Sequence, residues 1–426
     1  MSAANSESVA PLVEHFFRNE AGRLVAVLTR VFGLRNLDLV EDMVQATLVD
    51  ALTAWRNRVP DNPSGWVHRV AKNKILDALR HHQIGQRVIE GLAALSSQQV
   101  EQLDRLFLDK EIEDSQLEMM FACCHPRLTR ENQLALTLKA LCGFGNSEIG
   151  RALLVPEDTV KKRLQRATQS LLQHQTRLEA PPPNELLSRL DSVHQVLYLL
   201  FNEGYSTSEG DLAIRTDLCE EAARFCHLLC SHRRFATPST HALMALMLFH
   251  AARLDARLDP EGSPLLMDEQ DRSRWDQRLI TRAQEFLDAA AQGTVVSPFH
   301  LEAGIALLHC SAESYGRTDW RAILRLYDAL LAVHRSPVYE LNRAIVVAQI
   351  DGPLAGIQTL NEAGLDGALR HYHLFDATLG EFYRRAGDYV RARQHFETAR
   401  TKTNSPFDHE LIDRRLAKCP TQIGAG

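Results

Sequence analysis

Apolar residues recur along the chain at intervals of three and four, and alternation with a period of two is hard to find. The first spacing puts apolar side chains on one face of a helix, whereas alternation would put them on one face of a strand. The pattern therefore predicts an all-α fold. Before Pro181 it predicts helices over 9–31, 37–57, 63–82, 115–125, 130–142, 146–153 and 157–178.

Two interruptions of this pattern predict how the chain is divided. The run Pro181-Pro182-Pro183 cannot continue a helix, because proline lacks the amide donor and clashes with the preceding turn, so it predicts a domain boundary. Seven acids and two bases lie between Glu101 and Glu118. The predicted parts are a first domain over 9–85, an acidic linker over 86–114, a second domain over 115–180 and a helical extension over 185–420.

The helical extension contains a weak internal repeat. Trp320 and Pro337 have the same separation along the chain as Tyr389 and Pro406. The second pair follows the first by about twice the roughly 34-residue period of tetratricopeptide units. Leu354 lies one such period after Trp320, where a middle unit should have its aromatic residue. The spacing predicts a tetratricopeptide-like array, with a generic array of helical hairpins as the alternative.

The strongest local pattern predicts a helix-turn-helix between Asn146 and Leu171. Asn146 can cap a short first helix, and Pro156 fits the first turn of the second. In the second helix, one apolar stripe should face the first helix: Val160, Leu164, Ala167 and Leu171. An arc of roughly 100° away from that stripe holds Thr159, Lys162, Arg163 and Arg166, and Lys161 flanks the stripe. Such an arc suits the DNA major groove, whereas an ordinary solvated basic face is the alternative.

The helix predicted over 37–57 combines an acidic face with an apolar stripe, which consists of Leu37, Val40, Val44, Leu48, Leu52 and Trp55. Asp38, Asp42 and Gln45 follow one another at i, i+4 and i+7. An acidic face repels phosphate, so in a DNA-binding protein we expect it to serve a protein partner. A merely solvated face is the alternative.

The helix that opens at Pro63 has a mixed polar and basic arc. Four of its residues lie within about 100° of one another, namely Arg69, Lys72, Asn73 and Arg80. Leu76 falls inside the same arc. An apolar group beside basic groups suits contact with unstacked bases, although core packing is an equally good reading of Leu76.

Four segments, in this order, resemble the signatures of regions two and four of RNA polymerase sigma factors: Glu41–Thr47, Pro63–Val67, Ala71–Asp77 and Val155–Leu164. The chain is therefore similar to bacterial sigma factors of the extracytoplasmic-function type. Two later segments, Asn202–Tyr205 and Leu341–Ala344, look like those of a subgroup with a tetratricopeptide-like C-terminal domain. The resemblance implies a protein that directs RNA polymerase core to promoters and that uses no cofactor.

The resemblance also implies a role for individual residues. Asp42, Val44 and Gln45 would dock on the clamp helices of the polymerase large subunit, with Asp38 on the same face. Lys72, Asn73 and Arg80, with Arg69 beside them, would help to read and open the minus-ten element. Thr159, Lys161, Lys162, Arg163 and Arg166 would hold the minus-thirty-five element. The size and the repeat of the C-terminal extension predict that it is regulatory and holds a peptide or a partner domain. A tether that brings a second protein near the promoter without affecting the sigma regions is the alternative.

Composition narrows the remaining alternatives. The net charge of −6 argues against a protein that coats nucleic acid by charge alone, but it permits local basic patches. No apolar run approaches the roughly 18 residues of a membrane span, so we expect a cytoplasmic protein. A one-component helix-turn-helix regulator with a helical sensor remains an alternative, but it has no use for the acidic face. A metalloenzyme using Cys123, Cys124, His125 and Cys142 lacks the usual ligand spacing, and we expect a non-enzyme.

Overall fold

The computed structural model describes residues 4–55, 59–81, 108–153, 155–174, 176, 178–205 and 215–420. Within these ranges every regular element is helical, apart from one isolated bridge between Leu258 and Pro264. The predicted all-α fold is confirmed. The chain divides into two units, Met1–Val196 and Leu197–Gly426, which are described separately below.

The first unit begins with three helices and continues with four more after the gap in the description. They are α1 (Ala4–Phe32), α2 (Leu37–Ala54), α3 (Pro63–His81), α4 (Asp109–Cys123), α5 (Arg130–Ala140), α6 (Asn146–Ala152) and α7 (Glu157–Gln173). Helix α8 (Leu186–Tyr205) crosses the boundary between the units. Each helix predicted before Pro181 is present, and the start of α4 differs most from its predicted position.

Helix α4 begins six residues earlier than the sequence pattern predicts. Residues 109–114 were expected in the acidic linker but are helical, and residues 82–107 lie outside the described part. Ile112 is buried, and Arg30 of α1 pairs with Glu111 at 3.5 Å and with Glu118 at 3.0 Å. Acidic residues also suit the positive end of a helix. The acidic segment therefore includes a packed helix.

Helix α1 is the centre of the first unit and contacts α2, α3, α4 and α5. A buried polar group fixes α3 beside it: Glu20 accepts a hydrogen bond from Ser64 at 3.1 Å and contacts His68 at 2.9 Å. On another side Gly22 lies against the backbone carbonyl of Leu141, where an added Cβ would come within 1.9 Å. The first predicted domain thus packs closely on the second.

The proline run ends regular structure after α7 but does not separate the two units. The first half of α8 buries Leu190 and Val193 in the first unit. Arg130 donates to the Ser192 hydroxyl at 3.3 Å, and Arg189 donates to the Phe121 carbonyl at 2.7 Å. Residues shortly after the prolines therefore belong to the first unit, because prolines stop a helix without preventing the next one from packing back.

The second unit is a succession of helices. After α8 come α9 (Thr216–Ser231), α10 (Pro238–Ala251), α11 (Gln277–Ala290), α12 (Pro298–Ser311), α13 (Trp320–Val333), α14 (Pro337–Ile350), α15 (Pro353–Ala363), α16 (His373–Arg385), α17 (Tyr389–Thr401) and α18 (Pro406–Ala417). Trp320 and Tyr389 each begin a helix, and Pro337 and Pro406 each begin the next one. The spacing that the two pairs share thus separates consecutive helix starts. The tetratricopeptide-like detail stays a prediction.

Candidate nucleic-acid interface

The predicted helix-turn-helix is formed by α6 and α7. The sequence predicted that the side chain of Asn146 caps the first helix. That prediction is wrong, because Gly145 occupies the cap position. The Gly145 amide donates to Glu148 at 2.6 Å, and Arg18 of α1 pairs with the same carboxylate at 3.2 Å. At the turn, a Cβ on Gly150 would come within 2.8 Å of the Val155 carbonyl. A small residue is therefore needed for the close turn between the two helices.

Helix α7 shows the predicted division into an apolar and a basic side. Val160, Ala167 and Leu171 are buried, and Leu164 is half-buried. Lys162 and Arg166 are exposed, whereas Thr159 and Arg163 are half-buried. Among the described residues no acid forms an ion pair with Lys162, Arg163 or Arg166, so these cations are available to a ligand.

Lys161 is the exception on α7. Its ammonium group lies 3.0 Å from Glu157 and 3.8 Å from Asp158, within its own first turns. A surface pair of this kind is weak, and about half of the side chain stays exposed. Lys161 can therefore exchange these acids for a phosphate at small cost.

Helix α2 presents the predicted acidic face, with one correction. Asp38, Asp42 and Gln45 are exposed. Val44, expected to contact the polymerase, is only 1% exposed, because it belongs to the stripe that packs on the rest of the unit. Its side chain supports the helix and is closed to a partner.

Two apolar residues extend this face and were missed as site residues. Leu52, expected in the buried stripe, is 53% exposed, and Val49 is 60% exposed. Val49 follows Gln45 by four residues and Leu52 follows it by seven, so they continue the acidic face along α2. Helical spacing alone contained this signal. An acidic surface that runs into exposed apolar side chains is typical of a protein-binding face.

Helix α3 keeps only part of its predicted arc on the surface. Arg69 and Asn73 are exposed. Lys72 is 9% exposed and makes contacts of its own, because it lies beside the face on which Ala71 and Ile75 are buried. Lys72 is therefore not an open DNA-contacting group in this arrangement. The side chains of Leu76 and Arg80 lie outside the described part.

A groove of about 730 Å³ separates the acidic face of α2 from the side of α7 next to its basic arc. Its lining includes Asp38, Glu41, Asp42, Lys139, Lys161 and Gln165. Within the groove Glu41 pairs with Lys139 at 3.5 Å. Burial raises the pKa of Glu41 to about 7 although Lys139 opposes that shift. Nothing in the sequence indicated that the acidic face of α2 lies across a groove from this side of α7.

Replacing Glu41 by Gln should flatten the pH dependence of stability. Because the pKa of Glu41 is about 7 when folded and 4.5 in the reference state, the folded chain holds a proton that the unfolded chain has released. This contribution is fully present below pH 4.5 and is lost as the pH rises through about 7. Between pH 5 and pH 8, the free energy of unfolding should fall less for Glu41→Gln than for the wild type, by roughly 2 to 3 kcal/mol. Urea titrations at several pH values measure the free energy of unfolding, and Glu113→Gln, at an exposed position, is the control. The same pH dependence in Glu41→Gln and wild type would contradict this prediction.

The cysteines considered as metal ligands lie in the core between α4 and α5. Cys123 and Cys124 are buried, and their sulfurs contact the Leu136 carbonyl at 3.9 Å and the Thr137 hydroxyl at 3.8 Å. Burial raises the pKa of Cys124 to about 12. In the described ranges no three metal-ligating side chains converge. Nor is any helix there both long and apolar enough to cross a bilayer.

Three family models match the chain in succession. The first is "Sigma-70 region 2", over residues 16–84, which contains α2 and α3. The second is "Sigma-70, region 4", over residues 118–171, which contains the helix-turn-helix. The third is "Family of unknown function (DUF6596)", over residues 189–291.

Two curated proteins illustrate how far the similarity extends. "Uncharacterized protein R00370" of Rhizobium meliloti (strain 1021) is 34% identical over 379 residues, which is 88% of each chain. "ECF RNA polymerase sigma factor SigE" of Mycolicibacterium smegmatis (strain ATCC 700084 / mc(2)155) is 27% identical over 174 residues, or 40% of this chain and 63% of that protein. No solved structure matches the chain.

Proposed function

This chain belongs to the sigma-70 family, and we propose that it is a cytoplasmic, extracytoplasmic-function-type sigma factor that directs core RNA polymerase to a narrow set of promoters. The observation that carries the proposal is that each sigma region has its own open surface. Region 2 exposes the acidic face of α2, and region 4 exposes Lys162 and Arg166 on α7, which form no ion pair with an acid of the described residues. The alternative, a one-component helix-turn-helix regulator, does not account for the match to region 2.

The exposed residues support a division of labour between the helices. Asp38, Asp42 and Gln45, with Val49 and Leu52, would dock on the clamp helices of the polymerase large subunit. Arg69 and Asn73 would contact the minus-ten element, together with Arg80, whose side chain lies outside the described part. Thr159, Lys161, Lys162, Arg163 and Arg166 would contact the minus-thirty-five element. Charge complementarity supports these assignments, because DNA phosphates repel the acidic face of α2 and attract the cations of α3 and α7.

The two DNA elements are too far apart for the compact unit to reach both. By their names they lie about 25 base pairs apart, which is roughly 85 Å along the duplex. A compact body of 196 residues is roughly 40 Å across. The contacts between the regions, including Arg18 with Glu148 and Glu41 with Lys139, must therefore open when the protein works on the polymerase. The described arrangement would be a resting one.

We further propose that the C-terminal unit regulates the sigma regions. A helical array of this size forms an extended surface, which such arrays use to hold a peptide or partner domain. Such regulation requires that binding of the peptide or partner domain to the C-terminal unit favour one arrangement of the sigma regions over another.

Removing the C-terminal unit should change transcription but not polymerase binding. The fragment should end at Val196, because a cut in the proline run would remove Arg189 and Ser192 from the first unit. We expect fragment 1–196 to co-elute with core polymerase and to be inactive or deregulated in transcription. Gel filtration and transcription from a cognate promoter measure the two properties. A fragment as active and as well regulated as the whole chain would rule out the regulatory role.

A further inference from the structure

Three arginines come together in the C-terminal unit, around short helical turns that follow α10. Arg253 is only 5% exposed. Its guanidinium lies 5.1 Å from the centre of the Trp275 ring, and that of Arg272 lies 4.5 Å from the same ring. The guanidinium of Arg257 lies 4.1 Å from the centre of the Tyr205 ring. Burial and the charge of Arg253 lower the pKa of both Arg257 and Arg272, as expected of neighbouring cations.

The arginine cluster has neutral hydrogen-bond acceptors but no paired counter-charge among the described residues. Arg253 donates to the Gln270 side chain at 3.3 Å, and Arg272 donates to the carbonyls of His309 at 2.5 Å and Ala312 at 2.8 Å. Arg257 donates to the Tyr205 carbonyl. None of the three arginines forms an ion pair with an acid in the described ranges. The carboxylate of Asp408 acts on Arg257 from beyond ion-pair distance and opposes the lowering of its pKa.

Several buried nitrogen atoms of the cluster also have no hydrogen-bond partner. They are Nε of Arg253, one Nη of Arg272, Nε1 of Trp275, and Nδ1 of His250 and His309. Burial and the adjacent arginines lower the pKa of His250 and His309 to about 3, so both rings are neutral at pH 7. The arginine and tryptophan nitrogens can only donate. The site therefore holds positive charge and buried donor groups that its neutral acceptors leave partly unsatisfied.

The energetics identify what such a site binds. A buried charge without a counter-ion is unfavourable, and a water molecule can accept hydrogen bonds but cannot neutralise a guanidinium. A phosphate or carboxylate group does both, and guanidinium geometry matches either. Because Arg253 is almost fully buried, the group that reaches it must be small.

We propose that Arg253, Arg257 and Arg272 form a binding site for a compact, multiply charged anion, either a phosphate ester or a polycarboxylate. Trp275 and Tyr205 provide the walls of the site and hold the guanidinium groups in place. Four of these five residues fall after α10, and all five lie within the segment that matches the family of unknown function. The site lies in the C-terminal unit, and anion binding there does not require promoter recognition.

Thermal unfolding of the full chain tests the proposal with inorganic phosphate, pyrophosphate and citrate as probes. Sodium chloride at matched ionic strength controls for screening. We expect at least one probe to raise Tm saturably, by roughly 3 °C or more at saturation. A phosphate or pyrophosphate response identifies a phosphoryl ligand, and a citrate response identifies a polycarboxylate. No rise beyond that of chloride with any probe overturns the proposal.

Arg253→Met separates a ligand site from a purely structural one. A ligand role predicts that this variant loses the probe-dependent rise in Tm while its Tm without probe is unchanged or higher, because an unpaired buried charge is gone. Arg272→Met, on a less buried residue, should also reduce the response. The exposed Arg278→Met is the matched control and should behave as wild type. A lower Tm without probe combined with an intact response in both cluster variants would show that the arginines are structural and overturn the proposal.

Discussion

Replacing Arg166 by Glu should abolish promoter-dependent transcription and leave the protein folded. Arg166 is exposed on α7, away from the buried Val160 and Ala167, and in the described structure it forms no ion pair. Its loss should therefore change the free energy of unfolding by no more than about 0.5 kcal/mol. A good contact with DNA contributes about 1–3 kcal/mol, and a carboxylate in its place adds repulsion from phosphate. We expect promoter affinity to fall at least about tenfold.

The experiment compares transcript yield and promoter binding with thermal unfolding of the same samples. Arg163→Glu should also lower promoter affinity. Its effect should be smaller than that of Arg166→Glu, because the side chain of Arg163 is half-buried. Arg127→Glu reverses an exposed charge between α4 and α5, outside the helix-turn-helix, and should remain active. Full activity of both α7 variants would show that α7 is not the helix that contacts DNA.

Replacing Asp42 by Lys should weaken binding to core polymerase at least about tenfold without affecting DNA binding by α7. Asp42 is exposed, and its helical neighbours on the same face are Asp38, Gln45 and the exposed Val49. A lysine there meets the partner with the wrong charge at the centre of the proposed contact. Gel filtration or surface binding with purified core measures the loss.

Two further variants define the boundaries of this surface. Leu52→Asp should also weaken core binding, because it places a charge on the exposed apolar end of the face. Glu113→Lys reverses an exposed charge on α4 and should bind core as wild type does. If Asp42→Lys and Leu52→Asp both bind core normally, the face of α2 has another role.

Helical periodicity was sufficient to predict the parts of the candidate site that depend on one helix. The stripe of Val160, Ala167 and Leu171 fixes which side of α7 is buried, and the exposure of Lys162 and Arg166 follows from that orientation. The exposure of Asp38 and Asp42 on α2 follows in the same way. In each case a clear apolar stripe leaves one choice for the opposite face.

Predictions failed where neighbouring helices decide the outcome. Lys72 lies at the edge of the buried face of α3, and only the packing of that helix shows that its side chain is covered. Leu52 fits the apolar stripe of α2 by spacing, but it lies at the end of the helix and is exposed. Gly145 occupies the cap position of α6 because its amide donates to the side chain of Glu148. Asn146 is the better capping residue by type, so the sequence alone pointed to the wrong position.

Contacts between residues far apart along the chain could not be predicted from the sequence either. The packing of Gly22 on Leu141 joins residues that are far apart along the chain, and no local pattern marks it. The same holds for the arginine cluster, because Tyr205 and Arg257 are brought together only by the folded helices.

Run-off transcription with purified core polymerase tests the central claim most directly. The templates should include the region upstream of the gene for this protein, together with a library of other upstream regions from the same genome. We predict at least one promoter-dependent transcript that requires the chain and that is lost with Arg166→Glu. A complete absence of such transcripts, with core polymerase that is active alongside another sigma factor, would contradict a role as a sigma factor.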